Sequence, residues 1–299
     1  MPCYRPINAW RTTGTTRHGK KPIVFKKSAN ATTPLQVPCG QCIGCKLERS
    51  LMWAIRCVHE SQLHDQNSFI TLTYSPEFLP WDGSLQKKHF QDFMKRLRRS
   101  YKTNPIKYYM CGEYGEKLTR PHFHACLFGI DFPDKEVWKE EEGLITYTSD
   151  ILSERWGKGF VTISDVTFDS AAYVARYVTK KVTGDKAQDH YLTTNAHTGE
   201  LISLEPEYTT MSNGIGKRWL EKYTSDVYPS DFLVHQGKII KTPRYYDNLY
   251  DIPDTIKLAR KERGKKHAKD NTPERLAVRE KVKLLKFKQL TRSYEHHDT

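Results

Sequence analysis

Two histidines separated by one residue stand in the stretch Arg120-Pro121-His122-Phe123-His124-Ala125-Cys126-Leu127-Phe128-Gly129. Read as a strand, it sends His122, His124, Cys126 and Phe128 to one face and Phe123, Ala125 and Leu127 to the other. Two imidazoles on one face, about 7 Å apart along the strand, can bind a single metal ion. The plain alternative is a hydrogen-bonded histidine pair in a half-buried strand. Upstream, Tyr108-Tyr109-Met110-Cys111-Gly112-Glu113 reads as a second strand. The polar stretch Tyr114 to Thr119 allows a hairpin that carries Glu113 next to the histidines as a third ligand. Downstream, Ala171 to Lys181 has helical spacing: Tyr173 and Tyr177 are i and i+4, with Lys180 and Lys181 one turn further on the same side. Tyrosines at that spacing usually pack in a core. Beside a His-Phe-His strand they become candidate nucleophiles.

A second constellation is Cys39-Gly40-Gln41-Cys42-Ile43-Gly44-Cys45, a Cys-x2-Cys-x2-Cys knuckle with glycines to turn the chain. A fourth thiolate would complete a tetrahedral zinc site. Cys3 is the first choice, because it lies in an otherwise unanchored tail, and Cys57 is the alternative. Three free cysteines and an iron-sulfur cluster are the competing readings. With Zn2+ bound, the site would be structural and pin the N-terminal arm. An odd count of seven cysteines, three of them so closely spaced, argues against a secreted disulfide framework.

These residues need elements to position them. Leu47, Leu51, Ala54, Ile55 and Val58 recur at helical spacing from about Ile43 to His64, with Lys46, Arg49 and Arg56 on the exposed side. Phe69 to Tyr74 reads as a central strand. Asp82-Gly83-Ser84 is expected to cap a helix with Phe90, Phe93, Met94 and Leu97 as its buried stripe and Lys95, Arg96, Arg98 and Arg99 at its end. Cys111 and Cys126 read as small core residues. Residues 1–38 are expected to be largely loop. Residues 131–158 look like an insertion whose acidic run Lys139-Glu140-Glu141-Glu142 is a solvated face pointing away from DNA. Phe160 to Ile163 is a short strand, and Asp169-Ser170 can cap the tyrosine helix. Residues 183–213 read as a polar, mobile connection. Ile215 to Tyr223 and Pro243-Arg244-Tyr245-Tyr246 combine basic and aromatic residues, which suits DNA contact and surface helices equally. From Asp254 the chain is a basic, helix-prone tail. Four segments result: an arm, knuckle and helix (1–66), a core (67–182), an accessory connection (183–253) and the tail (254–299).

With 48 Lys and Arg against 35 Asp and Glu, the net charge of +13 would attract a polyanion such as nucleic acid. Seventeen tyrosines, six tryptophans and twelve phenylalanines offer rings on which bases can stack. No stretch of about 18 apolar residues is present, so no membrane role is expected, and the polar N-terminus does not read as a signal peptide.

The His-Phe-His strand followed by a helix bearing Tyr173, Tyr177, Lys180 and Lys181 resembles the HUH endonucleases. The wording of the motifs resembles the replication initiators of small single-stranded DNA phages of the microvirus family, gokushovirus type. The knuckle, the strand Phe69-Ile70-Thr71-Leu72-Thr73-Tyr74 and Gly214-Ile215-Gly216-Lys217-Arg218-Trp219 match in the family's order. The resemblance implies an α+β fold: a central antiparallel sheet with helices on one face and the tyrosine helix over the metal face. It implies a catalytic Mn2+ or Mg2+ held by Glu113, His122 and His124. It further implies nicking of single-stranded origin DNA by tyrosine attack, a 5'-phosphotyrosine link, and rejoining in rolling-circle replication in the host bacterial cytoplasm. A host helicase and polymerase are the partners implied. A conjugative relaxase, an HUH transposase and a non-catalytic zinc-stabilised nucleic-acid-binding protein are the rival readings.

Overall fold

A computed structural model of the chain describes residues 3–17, 19, 21–101, 105–115, 118–141, 143–176, 181–194 and 198–289. In chain order the elements begin β1 (Ile7–Thr12), β2 (Ile23–Val24), β3 (Ala31–Val37), α1 (Ile43–Ser61), β4 (Asn67–Thr73), α2 (Lys87–Ser100), β5 (Lys107–Tyr114) and β6 (Pro121–Phe128). They continue β7 (Glu136–Glu141), β8 (Leu144–Thr148), α3 (Asp150–Trp156), β9 (Val161–Ser164), α4 (Phe168–Arg176), α5 (Lys186–His190), β10 (Leu192–Thr194), β11 (Leu201–Ser203) and β12 (Tyr208–Met211). The last are α6 (Lys217–Lys222), α7 (Thr224–Val227), β13 (Phe232–His235), β14 (Lys238–Lys241), α8 (Arg244–Tyr250), α9 (Asp254–Lys266) and α10 (Pro273–Lys288).

Of the described residues, those up to Arg49 and those in 253–289 form one compact unit. It holds an antiparallel sheet in the order β2-β1-β3, with Ile7 opposite Val37 and Ala9 opposite Leu35. The reading of residues 1–38 as largely loop is corrected by these strands. Ala9 and Ala31 are buried, Leu35 and Val37 are half-buried, and Ile7, Asn8, Arg11, Thr32, Thr33, Pro34 and Gln36 are exposed. With one fully buried, small residue in each strand, a search for large apolar alternation has little to find. The expected basic tail is helical in α9 and α10, and Arg5 Nε donates to Glu280 Oε2 at 2.8 Å.

The second unit, Ser50–Ile252, is built on a seven-stranded antiparallel sheet in the order β12-β5-β6-β4-β9-β8-β7. The α+β fold is as expected. One face carries Ile70, Leu72, Phe123, Ala125 and Leu127 against Phe90, Phe93 and Leu97 of α2 and Leu152 and Trp156 of α3. Trp156 is wholly buried and donates Nε1–H to the Thr73 carbonyl at 2.7 Å. Burial of a side chain of this size contributes roughly 3 kcal/mol, and the bond removes the cost of sinking the indole N–H. The other face carries Phe69, Tyr109, Cys111, Cys126 and Phe128 beneath Ala54 and Cys57 of α1 and Ala171, Val174 and Ala175 of α4. The tyrosine helix therefore lies over the histidine face, and α1 shares that face with it.

Several local expectations are corrected. Residues 131–158 are no insertion: β7 and β8 extend the main sheet, and Phe132, Leu152 and Trp156 belong to its core. Residues 183–213 are no mere connection, since β12 pairs with β5 as an edge strand and β10 pairs with β11. Asp82 and Ser84 do not cap α2, whose N-cap is Gln86; Asp82 Oδ1 instead accepts from the Ser84 N–H at 2.9 Å and closes a turn. The start of α4 is set by Thr167 rather than by Asp169: Ser170 N–H donates to Thr167 Oγ1 at 3.1 Å, and Thr167 N–H to Ser170 Oγ at 2.8 Å. This is reciprocal capping with serine in the place usually taken by Glu or Gln, so the sequence pattern was not recognisable. Arg56 is buried rather than exposed. Its guanidinium lies 3.9 Å from the Trp53 ring centre and 3.8 Å from that of Tyr245, and Nε donates to the Ile215 carbonyl at 3.1 Å.

Candidate metal centre and tyrosine helix

Strand β6 is buried along its whole length because it sits between β5 and β4 with packed layers above and below. Pro121 opens it, at a strand's first residue, where a missing N–H is tolerated. Register does the rest. Pairing with β5 sets Glu113 opposite His122 and Cys111 opposite His124, and pairing with β4 sets Thr73 opposite His122 and Thr71 opposite His124. Opposed residues share a face, so Glu113, both histidines and both threonines gather on one side of the sheet.

Glu113 Oε1 lies 3.1 Å from His122 Nε2 and 3.0 Å from His124 Nε2, and all three side chains are buried. One donor atom from each lies within 4.8 Å of the other two. The far ring nitrogens are held by other groups. His122 Nδ1 donates to the Arg120 carbonyl at 3.1 Å, and His124 Nδ1 meets Thr71 Oγ1 at 2.9 Å. A carbonyl can only accept, so His122 Nδ1 carries a proton, and the ring turns Nε2 to the Glu113 carboxylate. Two acceptors at that distance attract only when they share a cation, whether a proton or a metal ion. The backbone carbonyl behind a ligating imidazole is also the usual support of a metal site. Two imidazoles and one carboxylate thus fit a divalent cation, with Mn2+ better matched than the oxygen-seeking Mg2+. Burial pushes the Glu113 carboxyl up, but His122 and His124 outweigh it and hold its pKa at about 2, so it is anionic at neutral pH.

Tyr173, buried on α4, stands edge-on to His124 with ring centres 5.0 Å apart. Phe69 lies 5.8 Å from His124 on a parallel plane and 6.3 Å from Tyr173. Of the four catalytic candidates, the structure brings Tyr173 to the histidines. Lys181 is exposed beyond the helix, and Tyr177 and Lys180 lie outside the described residues. Sequence reasoning missed Thr71 and Arg120 as supports of the two rings. For Thr71 the signal was present, since alternate residues of the strand Phe69 to Tyr74 must face one way.

The family model "Replication-associated protein ORF2/G2P" matches residues 67–182, the segment that carries Glu113, His122, His124 and Tyr173. Replication-associated protein VP4 of Bdellovibrio phage phiMH2K is 36% identical over 263 residues, 84% of this chain and 77% of that protein. The chain belongs to the family of phage replication-associated proteins. Replication-associated protein ORF2 of Spiroplasma virus 4 is 35% identical over 271 residues, 83% of this chain and 79% of its own. Replication-associated protein ORF4 of Chlamydia phage 1 is 30% identical over 221 residues, 71% of this chain and 53% of its own. No solved structure matches.

In this replication-associated protein, a buried carboxylate ties down the helices above the histidine face. Glu60 of α1 accepts from Lys107 Nζ at 2.8 Å and the Gly216 N–H at 2.7 Å, and meets His64 Nε2 at 3.1 Å. The Gly214–Trp219 motif therefore has structural work. Gly216 has φ +75°, where a Cβ would lie 2.5 Å from Tyr246 Oη. Trp219 is buried, stacked on His59 with ring centres 3.5 Å apart, and its Nε1–H donates to Gln62 Oε1 at 2.7 Å. Lys217 and Arg218 remain exposed.

The other unit holds the cysteine cluster. Cys3, Cys39, Cys42 and Cys45 each bring a sulfur within 4.8 Å of the others, and all are free thiols. Cys57 lies apart from them, in the core of the second unit with Cys126. The Cys3 and Cys39 sulfurs are 3.8 Å apart, far beyond a disulfide bond. Backbone N–H groups of Tyr4, Cys42 and Cys39 point at the sulfurs of Cys42, Cys39 and Cys3, each at 3.3 Å. Burial raises the Cys42 thiol, but the N–H groups of Tyr4 and Cys45 and the side chains of Cys45 and Cys39 outweigh it and bring it to about 7. Four sulfurs converging with donors aimed at them fit a tetrahedral thiolate site. Among the described residues, no helix is long and apolar enough to cross a membrane.

Proposed function

We propose that this protein initiates phage DNA replication by nicking the single-stranded origin, with residues 67–182 as the endonuclease core. The observation that carries the reading is the convergence of Glu113, His122 and His124 beneath α4, with the Tyr173 ring 5.0 Å from that of His124. Glu113, His122 and His124 would hold Mn2+ or Mg2+, which when bound polarises the scissile phosphate. Thr71 and the Arg120 carbonyl keep the two imidazoles turned toward that position. A free tyrosine ionises near pH 10, so its proton must be drawn off; the cations of Lys180 and Lys181 favour the phenolate. The phenolic oxygen attacks phosphorus, the bond from phosphorus to the 3' oxygen breaks, and the products are a 5'-phosphotyrosine and a free 3'-hydroxyl that primes synthesis. The new ester keeps the energy of the phosphodiester, so rejoining needs no ATP. Tyr173 and Tyr177 divide the work: one holds the 5' end while the other nicks the regenerated origin. The setting is the host bacterial cytoplasm, with a host helicase and polymerase acting after the nick. The cysteine cluster holds a structural Zn2+.

Covalent capture tests this. Full-length protein is incubated with Mn2+ and a single-stranded origin oligonucleotide, and the trapped peptide is located by mass spectrometry. An adduct on Tyr173 or Tyr177 is expected, reduced in either single Phe variant and absent from the double. No adduct in the wild type, or one that persists in the double variant, overturns the assignment.

A further inference from the structure

Phe160 and Trp138 are 43% and 57% exposed, and their rings touch, with centres 5.0 Å apart at an angle of 58°. Register sets the place of Phe160 in the sheet, and Trp138 stands at an irregularity of β7, between Val137 and Lys139. The Phe160 carbonyl accepts from Thr73 twice, from the backbone N–H at 3.0 Å and from Oγ1 at 2.9 Å. This extends by one residue the β4–β9 pairing in which Leu72 stands opposite Val161. Phe160 is therefore opposite Thr73, Thr73 opposite His122, and His122 opposite Glu113. The four residues form one row across four strands on the histidine face. Val161 and Ile163, on the other parity of β9, point into the core beneath α2 and α3. Strands are spaced by about 4.8 Å, so Phe160 stands roughly 10 Å from His122 along the row.

We propose that Phe160 and Trp138 form a stacking platform for an unpaired base close to the phosphate that is cut. The proposal rests on the nicking reading above and adds where the DNA strand lies. Two large rings left in water and in mutual contact mark a binding surface. Their flat faces suit any base, which is how sequence-tolerant contacts to single strands are made. The path from His122 to Phe160 crosses only half-exposed Thr73, and the row's one carboxylate, Glu113, is buried. The row itself carries no exposed negative charge, on a chain of net charge +13; the exposed carboxylates Glu136, Glu140 and Glu141 lie on β7, on either side of Trp138. A duplex keeps its bases stacked inside, so the platform would engage single strands alone.

The test uses full-length wild type, Phe160→Leu, Trp138→Leu and Trp138→Phe, with binding followed by anisotropy of a labelled single-stranded origin oligonucleotide and thermal unfolding as the check on folding. Each Leu variant is expected to bind about tenfold more weakly, equivalent to ~1.4 kcal/mol and within the range for one stacked base. Trp138→Phe should stay within about twofold of wild type, and duplex binding should not distinguish the variants. An abasic site scanned along the oligonucleotide should reproduce the loss at one position near the nick, with no further loss when combined with Phe160→Leu. Wild-type binding and nicking with unchanged Leu variants would remove the platform and leave the nicking reading intact. Losses by abasic site and Phe160→Leu that add at every position would also overturn the platform. A wild type that binds no single strand would overturn both.

Discussion

Replacing Glu60 by Gln tests whether one buried carboxylate fastens the layer above the histidine face. Its side chain is wholly buried, while those of Lys107 and His64 are 20% and 15% exposed. Burial raises the Glu60 carboxyl, but the hydrogen bonds from His64, Lys107 and the Gly216 N–H, with the Lys107 charge, lower it from the usual 4.5 to about 2. At about 1.4 kcal/mol per pH unit, that drop corresponds to roughly 3 kcal/mol of stability at neutral pH. A second route agrees: removing one member of a buried ion pair costs about 3–5 kcal/mol, and a partly exposed Lys107 that can turn to water places this case at the low end. Gln keeps the shape, but its amide N–H2 faces groups that are themselves donors. Because the folded-state value is depressed, the stabilisation is present in full above pH ~4.5 and fades as the pH falls toward 2. Glu60→Gln should therefore unfold about 6–12 °C below wild type at pH 7, with the gap closing in acid. Urea unfolding of both proteins between pH 7 and pH 3 measures this. A difference under about 1 kcal/mol at pH 7, or one that does not change with pH, would refute the reasoning.

Three further outcomes are expected. The paired change His122→Ala and His124→Ala should abolish nicking while single-strand binding stays within about twofold, because no phosphate-contacting cation is lost; cleavage at the wild-type rate would remove the metal from the mechanism. Protein purified without added zinc should carry about one zinc per chain, and Cys42→Ser distinctly less, by metal analysis; equal contents would count against the four-thiolate site. Gly216→Ala should cost about 1–3 kcal/mol in denaturant unfolding, since its Cβ would meet Tyr246 Oη and the Arg56 carbonyl at 2.5 and 3.3 Å from a positive-φ backbone; an unchanged midpoint would show that the turn relaxes freely.

What the sequence alone determined is local and periodic. A two-residue period placed His122 and His124 on one face of a strand, a short polar link allowed Glu113 to return beside them, and a 3.6-residue period made Tyr173 part of a helix. The knuckle's spacing placed three cysteines together, and the choice of Cys3 over Cys57 followed from its position in a short tail. Each of these depends on neighbours within a few tens of residues, where chain geometry leaves few alternatives.

Only the tertiary structure decided the rest. Arg56 carries a charge, and a sequence reading puts charge at the surface; the Trp53 ring one turn away, the distant Tyr245 ring and the carbonyl of Ile215, 159 residues along the chain, make burial tolerable. Residues 208–211 look polar because an edge strand needs only a partner's backbone, and β5 supplies it. The strands of residues 7–37 hide for the same reason, since backbone pairing is indifferent to side-chain type and each of β1 and β3 has one fully buried residue, an alanine. Phe160 enters the row of Glu113 and His122 through the order β5-β6-β4-β9. Strand order across a sheet is set by which faces can be buried together, and that is a property of the assembled layers rather than of any one segment.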